Sequence, residues 1–318
     1  MTEINHRFVE VNGLRLHVAE AGTGPLVVLL HGFPECWYSW RHQLGALAEA
    51  GFHVVAPDQR GYTRSDRPGS VEDYTMLHLV GDVVGLIDAL DEPDAVVVGH
   101  DWGAPVAWHT ALLRPDVVRA VAGLSVPFVG STPVPPLQAA RHRYGDTFYQ
   151  LYFQNAGVEK DFETDLDTTF RRILYGISGD NPEIRPLLVP EGEGFFDSWT
   201  DPAELPSWLT ERDIATYAAE FAGSGFSGPL NWYRNIDHNW ELTSAWRSAT
   251  IGAPALFVAG DRDPVISWYD AAKLEPMMRT VIPDLRGVEL LPGAGHWIQQ
   301  ERPAEVSTAL VDFARSTS

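Results

Sequence analysis

The chain has 318 residues, 45% of them apolar and 21% charged, an ordinary globular balance that suits one large domain or a domain carrying a sizeable insertion. Its formal net charge of −20 repels nucleic-acid phosphates and anionic lipid, and reads first as a solubility feature. A single cysteine, Cys36, rules out an intrachain disulfide and fits a reducing, cytoplasmic compartment, and no apolar stretch approaches the ~18 residues of a membrane span.

The first residues, Met1 to Arg7, have no apolar run behind them and do not read as a signal peptide. Phe8-Val9-Glu10-Val11 and Leu14-Arg15-Leu16-His17-Val18 flank Asn12-Gly13, which predicts a hairpin. Leu26 to Leu30 is a continuous apolar run, the pattern of a buried parallel strand. His53 to Ala56, Ala95 to Val98 and Ala120 to Val126 repeat it, with helical spacing over Trp37 to Ala50 and Met76 to Leu90 between them. After Val126 the pattern changes. Pro127, Pro133, Pro135 and Pro136 break regular structure. From about Leu137 to Trp246 the chain reads as helices, with loops rich in Pro, Gly and acid such as Gly179 to Trp208. Aromatics crowd this stretch, Phe148, Phe170, Phe195, Phe196, Trp199 and Trp232 among them. Strand patterns return at Ala253 to Ala259 and at Val288 to Leu291, and a helix over about Pro303 to Ala314 closes the chain. The expectation is an α/β domain from residues 1–129 and 247–318, interrupted by a helical lid over residues 130–246. Such a lid covers a site at the carboxyl ends of the strands, where ligands bind in open α/β sheets.

The sharpest local feature is Gly99-His100-Asp101-Trp102-Gly103, which follows a strand and opens a helical pattern. Small residues two before and two after the centre permit a tight strand-to-helix turn that lifts the central side chain above the sheet. Where serine stands at such a centre it needs a base to remove its proton. Asp101 needs none, because a carboxylate is ionised at neutral pH. It can attack a saturated carbon directly and form an ester, leaving a histidine free to activate water against that ester. An aspartate at this place therefore favours substrates with an electrophilic sp³ carbon, epoxides or alkyl halides. The plain alternative is a glycine-rich turn with a capping aspartate.

Here the chain resembles the epoxide hydrolases of the α/β-hydrolase fold, including the C-terminal domain of mammalian soluble epoxide hydrolase. His31-Gly32-Phe33-Pro34 looks like the family's oxyanion-hole motif, and Asp58-Gln59-Arg60-Gly61-Tyr62 like another family block. Gly99 to Gly103 is the nucleophile block. Tyr149-Gln150-Leu151-Tyr152-Phe153-Gln154 and Asn231-Trp232-Tyr233-Arg234-Asn235 look like the two lid segments that supply tyrosines. Gly260-Asp261-Arg262-Asp263 and Gly295-His296-Trp297 look like the acid and base blocks. Each block is modest alone; all of them in this order are specific.

The resemblance implies an α/β-hydrolase fold with an inserted cap and assigns the roles. Asp101 is the nucleophile. His296, alone of eleven histidines, fits the base position, carried over the sheet by Pro292-Gly293-Ala294-Gly295. His31 and His100 read as structural. Asp261 and Asp263 both follow a strand and both remain open on the residues; the resemblance selects Asp263 as the acid that orients His296. Tyr149 and Tyr233 would hydrogen-bond the oxirane oxygen, with Tyr152 the rival of Tyr149. Backbone N–H groups of Phe33 and Trp102 would form the oxyanion hole. Phe33, Trp102, Phe153 and Trp297, which stand in these blocks, are the candidate substrate-pocket residues.

The expected reaction joins an apolar or aromatic epoxide and water into a vicinal diol. No cofactor is expected and no metal: there is no His-Glu-x-x-His motif, and one cysteine cannot build a thiolate site. The resemblance allows a homodimer through the lid. Two other readings stand beside this one. A haloalkane dehalogenase shares the fold and the aspartate, and Trp102 would suit halide binding, but that family lacks the lid tyrosine pair. A ligand receptor without catalysis uses the same scaffold but generally loses part of the nucleophile, acid and base set.

Overall fold

A computed structural model of the chain describes residues 3–184 and 187–317. Eight strands form one sheet: β1 (Asn5–Val11), β2 (Leu14–Ala21), β3 (Leu26–Leu30), β4 (His53–Pro57), β5 (Ala95–His100), β6 (Val118–Leu124), β7 (Ala255–Gly260) and β8 (Leu285–Leu291). Their order across the sheet is β1-β2-β4-β3-β5-β6-β7-β8. Only the β1–β2 and β2–β4 pairs are antiparallel; from β4 to β8 every pair is parallel. Met1 and Thr2, at the head of the stretch that does not read as a signal peptide, lie outside the described residues, and β1 begins at Asn5.

The predicted hairpin is present, with Asn12 and Gly13 at φ 51° and 80°, the two left-handed residues that a tight turn between twisted strands requires. The continuous apolar runs became the central strands: every residue of β3, β5 and β7 is buried. Alternation sorts their side chains between two cores. Leu26, Val28 and Leu30 face one, Val27 and Leu29 the other. Strand β6 begins and ends two residues earlier than its apolar run predicts, because Ser125 turns left-handed at φ 68°.

Helices α1 (Arg41–Glu49), α2 (Met76–Ala89) and α3 (Gly103–Leu113) cross between the early strands. Among the described residues seven α-helices lie between β6 and β7: α4 (Pro136–Tyr144), α5 (Tyr149–Tyr152), α6 (Glu159–Glu163), α7 (Leu166–Gly176), α8 (Glu211–Phe221), α9 (Ser227–Arg234) and α10 (Ile236–Leu242). Helices α11 (Ala271–Val281), α12 (Ile298–Glu301) and α13 (Pro303–Ser316) complete the chain. Among the described residues no helix is long and apolar enough to cross a membrane.

The inserted helices are tied to the sheet domain by polar contacts with named partners. Arg64 pairs with Glu220 of α8, and Tyr38 donates to Asp213 at 2.9 Å. The Trp232 indole donates to the Arg60 carbonyl at 3.1 Å, and Asn239 accepts the Met76 amide at 2.7 Å. Gly228 packs on Gly61 so closely that a β-carbon there would collide with the Gly61 backbone. This closeness fixes α9, and with it Tyr233, above the ends of the parallel strands.

Candidate active site

Strand β5 ends at His100 and α3 begins at Gly103, which leaves two residues to reverse the chain. Asp101 takes up the reversal at φ 49°, a left-handed conformation that costs a non-glycine residue roughly 1–3 kcal/mol. The flanking glycines are sterically required. A β-carbon on Gly99 would strike the Gly103 carbonyl, and one on Gly103 would strike that of Leu30. Gly32, from the loop after β3, crosses so near that a β-carbon there would collide with the Asp101 side chain.

The Asp101 carboxylate is largely buried and held from two sides. Oδ1 accepts the Phe33 N–H at 2.8 Å, and Oδ2 lies 3.4 Å from His296 Nε2. On the other edge of the imidazole, Nδ1 is 3.1 Å from both oxygens of Asp263. Asp263 is buried and also accepts the Val265 N–H at 2.8 Å. Asp261 is elsewhere: it accepts the Gly293 N–H at 2.7 Å and so braces the loop that carries His296. The structure thus separates two acids that the sequence left side by side.

Burial acts against both charges in this triad, and geometry overrides it. Burial pushes the Asp101 carboxyl up, but His296, His100 and the Phe33 amide together hold it below the usual carboxylate range. Burial pulls His296 down, but Asp263 and Asp101 on its two edges hold it well above the ordinary imidazole value. The imidazole of His296 thus lies between two acids, an arrangement that favours its protonated form.

Two phenols face this triad. Tyr149, the first residue of α5, and Tyr233, near the end of α9, have ring centroids 6.0 Å apart. Both line a cavity of about 30 Å³ together with Asp101, His296, Phe33 and Phe153. Burial pushes both phenols above their ordinary value, with the Asp101 charge adding to the effect, so both carry protons at neutral pH. Tyr152 is not with them. Its hydroxyl donates to Asp161 at 2.7 Å, and it lines neither of the cavities that reach Asp101.

A larger cavity of about 360 Å³ also reaches Asp101 and Tyr149, and Trp102 forms part of its wall. Trp297 corrects an expectation. It is fully buried, packs edge-on against the His296 ring at 4.9 Å and lines neither cavity. Its backbone N–H donates to Glu301, the last residue of α12.

The sequence reading also missed a buried pair behind the triad. His100 Nδ1 is 2.6 Å from Glu35, and its Nε2 is 2.7 Å from the His296 carbonyl. Burial pushes Glu35 up, but His100 and the Gly32 amide hold it below its usual range. Glu35 therefore ties the Gly32 loop to the His296 loop. No local signal marks this role, because its side-chain partners His100 and Gln299 are 65 and 264 residues away. His31 matches its structural reading: its Nε2 accepts the Gln59 N–H at 3.0 Å.

The sequence matches the family described as alpha/beta hydrolase fold over residues 25–303. It is 47% identical to Epoxide hydrolase A of Mycobacterium tuberculosis, over 96% of each chain. It is 43% identical to Epoxide hydrolase 3 of Siraitia grosvenorii, over 98% of this chain and 99% of that one. Among solved structures, Epoxide Hydrolase A from Mycobacterium thermoresistibile superposes with a TM-score of 0.93 at 48% identity, over 98% of each chain.

Proposed function

The chain belongs to the α/β-hydrolase-fold family, and from that premise we propose that it is an epoxide hydrolase working through an alkyl ester on Asp101. The observation that carries this reading is one arrangement: a largely buried carboxylate with an imidazole against one oxygen, facing two phenols across a small cavity.

The Phe33 N–H occupies Oδ1, which leaves Oδ2 as the attacking oxygen. Oδ2 forms a bond to an oxirane carbon as the carbon–oxygen bond of the ring breaks. The released oxygen takes a proton from Tyr149 or Tyr233, help typically worth ~10²–10⁴-fold for a poor leaving group. Asp101 is then a neutral ester, and His296 has lost one of the charges that kept it protonated. His296 gives up its proton to the tyrosinate left by ring opening, and the neutral imidazole then takes one from water. The hydroxide attacks the ester carbon, and the N–H groups of Phe33 and Trp102 hold the oxyanion. Collapse releases the diol and restores the carboxylate. Asp263 fixes the imidazole's orientation throughout.

In this reading residues 130–246 form a cap over a core of residues 1–129 and 247–318, and the cap supplies the acid while the core supplies the nucleophile and base. The apolar linings of both cavities support an apolar or aromatic substrate. The phenol pair favours an alkoxide over a halide leaving group, which separates this reading from dehalogenation.

The deciding experiment is a single turnover of racemic styrene oxide in ¹⁸O-labelled water. An unlabelled diol means that the new oxygen came from Asp101. A diol labelled at that oxygen means direct attack by water and removes the ester mechanism.

A further inference from the structure

The two cavities that meet at Asp101 differ in size by about an order of magnitude, roughly 30 against 360 Å³. Both touch Asp101, Tyr149 and Val265, so a bound molecule can extend from the reacting centre into either. The small one contains His296 and Tyr233 and must therefore hold the reacting ring. A single water occupies roughly 10–15 Å³ of such space, so a three-membered ring fills most of it. Nothing as large as a phenyl group fits beyond. The large one is walled by Trp108, Leu112, Phe128, Trp240 and Trp268, an apolar arm on the core-to-insert boundary.

The far wall of the small cavity is a septum. Ile177, Leu187 and Trp199 line it, and the same three residues line a separate cavity of about 40 Å³ on their other side. The Trp199 indole lies flush on Gly176, where any β-carbon would strike its ring. Space for a second substituent is thus present in the molecule but walled off by these side chains.

We propose that, on the epoxide hydrolase reading, this enzyme is selective for terminal epoxides. The ring lies in the small cavity, the single apolar substituent lies in the large one, and Trp199 with Leu187 determines the limit. A 1,2-disubstituted epoxide must place one group against the septum.

The test compares kcat/KM for styrene oxide and trans-stilbene oxide, which differ by one phenyl group on the second ring carbon. Wild-type enzyme should favour styrene oxide by roughly 100-fold or more, the scale at which a closed pocket rejects excess bulk. Trp199→Ala and Leu187→Ala should each narrow the ratio about tenfold by raising turnover of the stilbene oxide. Comparable wild-type values for the two substrates overturn the proposal. So does an unchanged ratio in both variants. Absence of turnover with either substrate, together with no ester on Asp101, overturns the underlying reading as well. Turnover of styrene oxide with the wrong ratio overturns only the selectivity.

Discussion

The amide of Phe33 donates to the carboxylate of Asp101 at 2.8 Å, across 68 residues of sequence. The contact depends on Gly32, because a β-carbon there would collide with the aspartate. One glycine therefore permits both the close approach and the positioning of the amide proposed as an oxyanion donor. Gly32→Ala should push the loop away and cost about 10²–10³ in kcat, the usual loss for one such donor. Steady-state kinetics beside a thermal melt checks this: unchanged kcat in a folded variant counts against the role of the Phe33 amide.

The ester can be trapped. Asp101→Asn should form no adduct. His296→Gln should accumulate an adduct with the mass of enzyme plus epoxide, because alkylation proceeds and hydrolysis stalls. Intact-protein mass spectrometry after mixing with styrene oxide reads both. If neither wild type nor the His296 variant ever carries the added mass, the covalent mechanism fails.

The tyrosines separate by position. Tyr149→Phe and Tyr233→Phe should each slow ester formation, by an amount within the ~10²–10⁴-fold range of general-acid help. Tyr152→Phe should stay within a few-fold of wild type, since its hydroxyl is engaged with Asp161 and faces neither cavity. Rapid-mixing fluorescence gives the alkylation rate directly. A Tyr152 variant as slow as the Tyr149 variant would reverse the assignment.

The two half-reactions should respond to pH differently. Alkylation needs ionised Asp101, whose pKa is depressed below its ordinary 3.8, so its rate should stay flat from neutral pH down to about 5. Hydrolysis needs neutral His296. In the resting enzyme its pKa is raised, chiefly by Asp263 and Asp101 against the pull of burial. Esterification neutralises Asp101, removes one raising charge and lowers the pKa of His296. The hydrolysis rate should therefore fall as pH drops through this lowered value. The same sign appears without substrate: Asp101→Asn should shift the NMR titration of His296 to lower pH. A shift to higher pH contradicts the charge arrangement.

Much of this was readable before any fold existed. Asn12-Gly13 predicts its hairpin because two consecutive left-handed residues have few chemical solutions. The apolar runs of β3, β5 and β7 predict buried parallel strands because both of their faces must leave water. The elbow is legible for a related reason. Backbone collisions at Gly99 and Gly103 exclude every other residue, so the geometry writes itself into the composition. Other features are not local. Asp261 and Asp263 stand two residues apart with equal claims, and only the path of the loop through Gly293 gives one to that loop and the other to His296. Tyr149 and Tyr152 share one helical turn, and only packing decides that one faces Asp101 and the other Asp161. Trp297 adjoins the base in sequence yet points into the core, and Glu35 braces two loops that the sequence holds far apart. The sequence by itself determined the elements, the order of the reacting groups and the places where only glycine fits, since steric exclusion and hydrophobic period act over a few residues. The tertiary structure decided which acid, which tyrosine and which cavity belong to the site, since those depend on directions that side chains acquire only when distant segments pack.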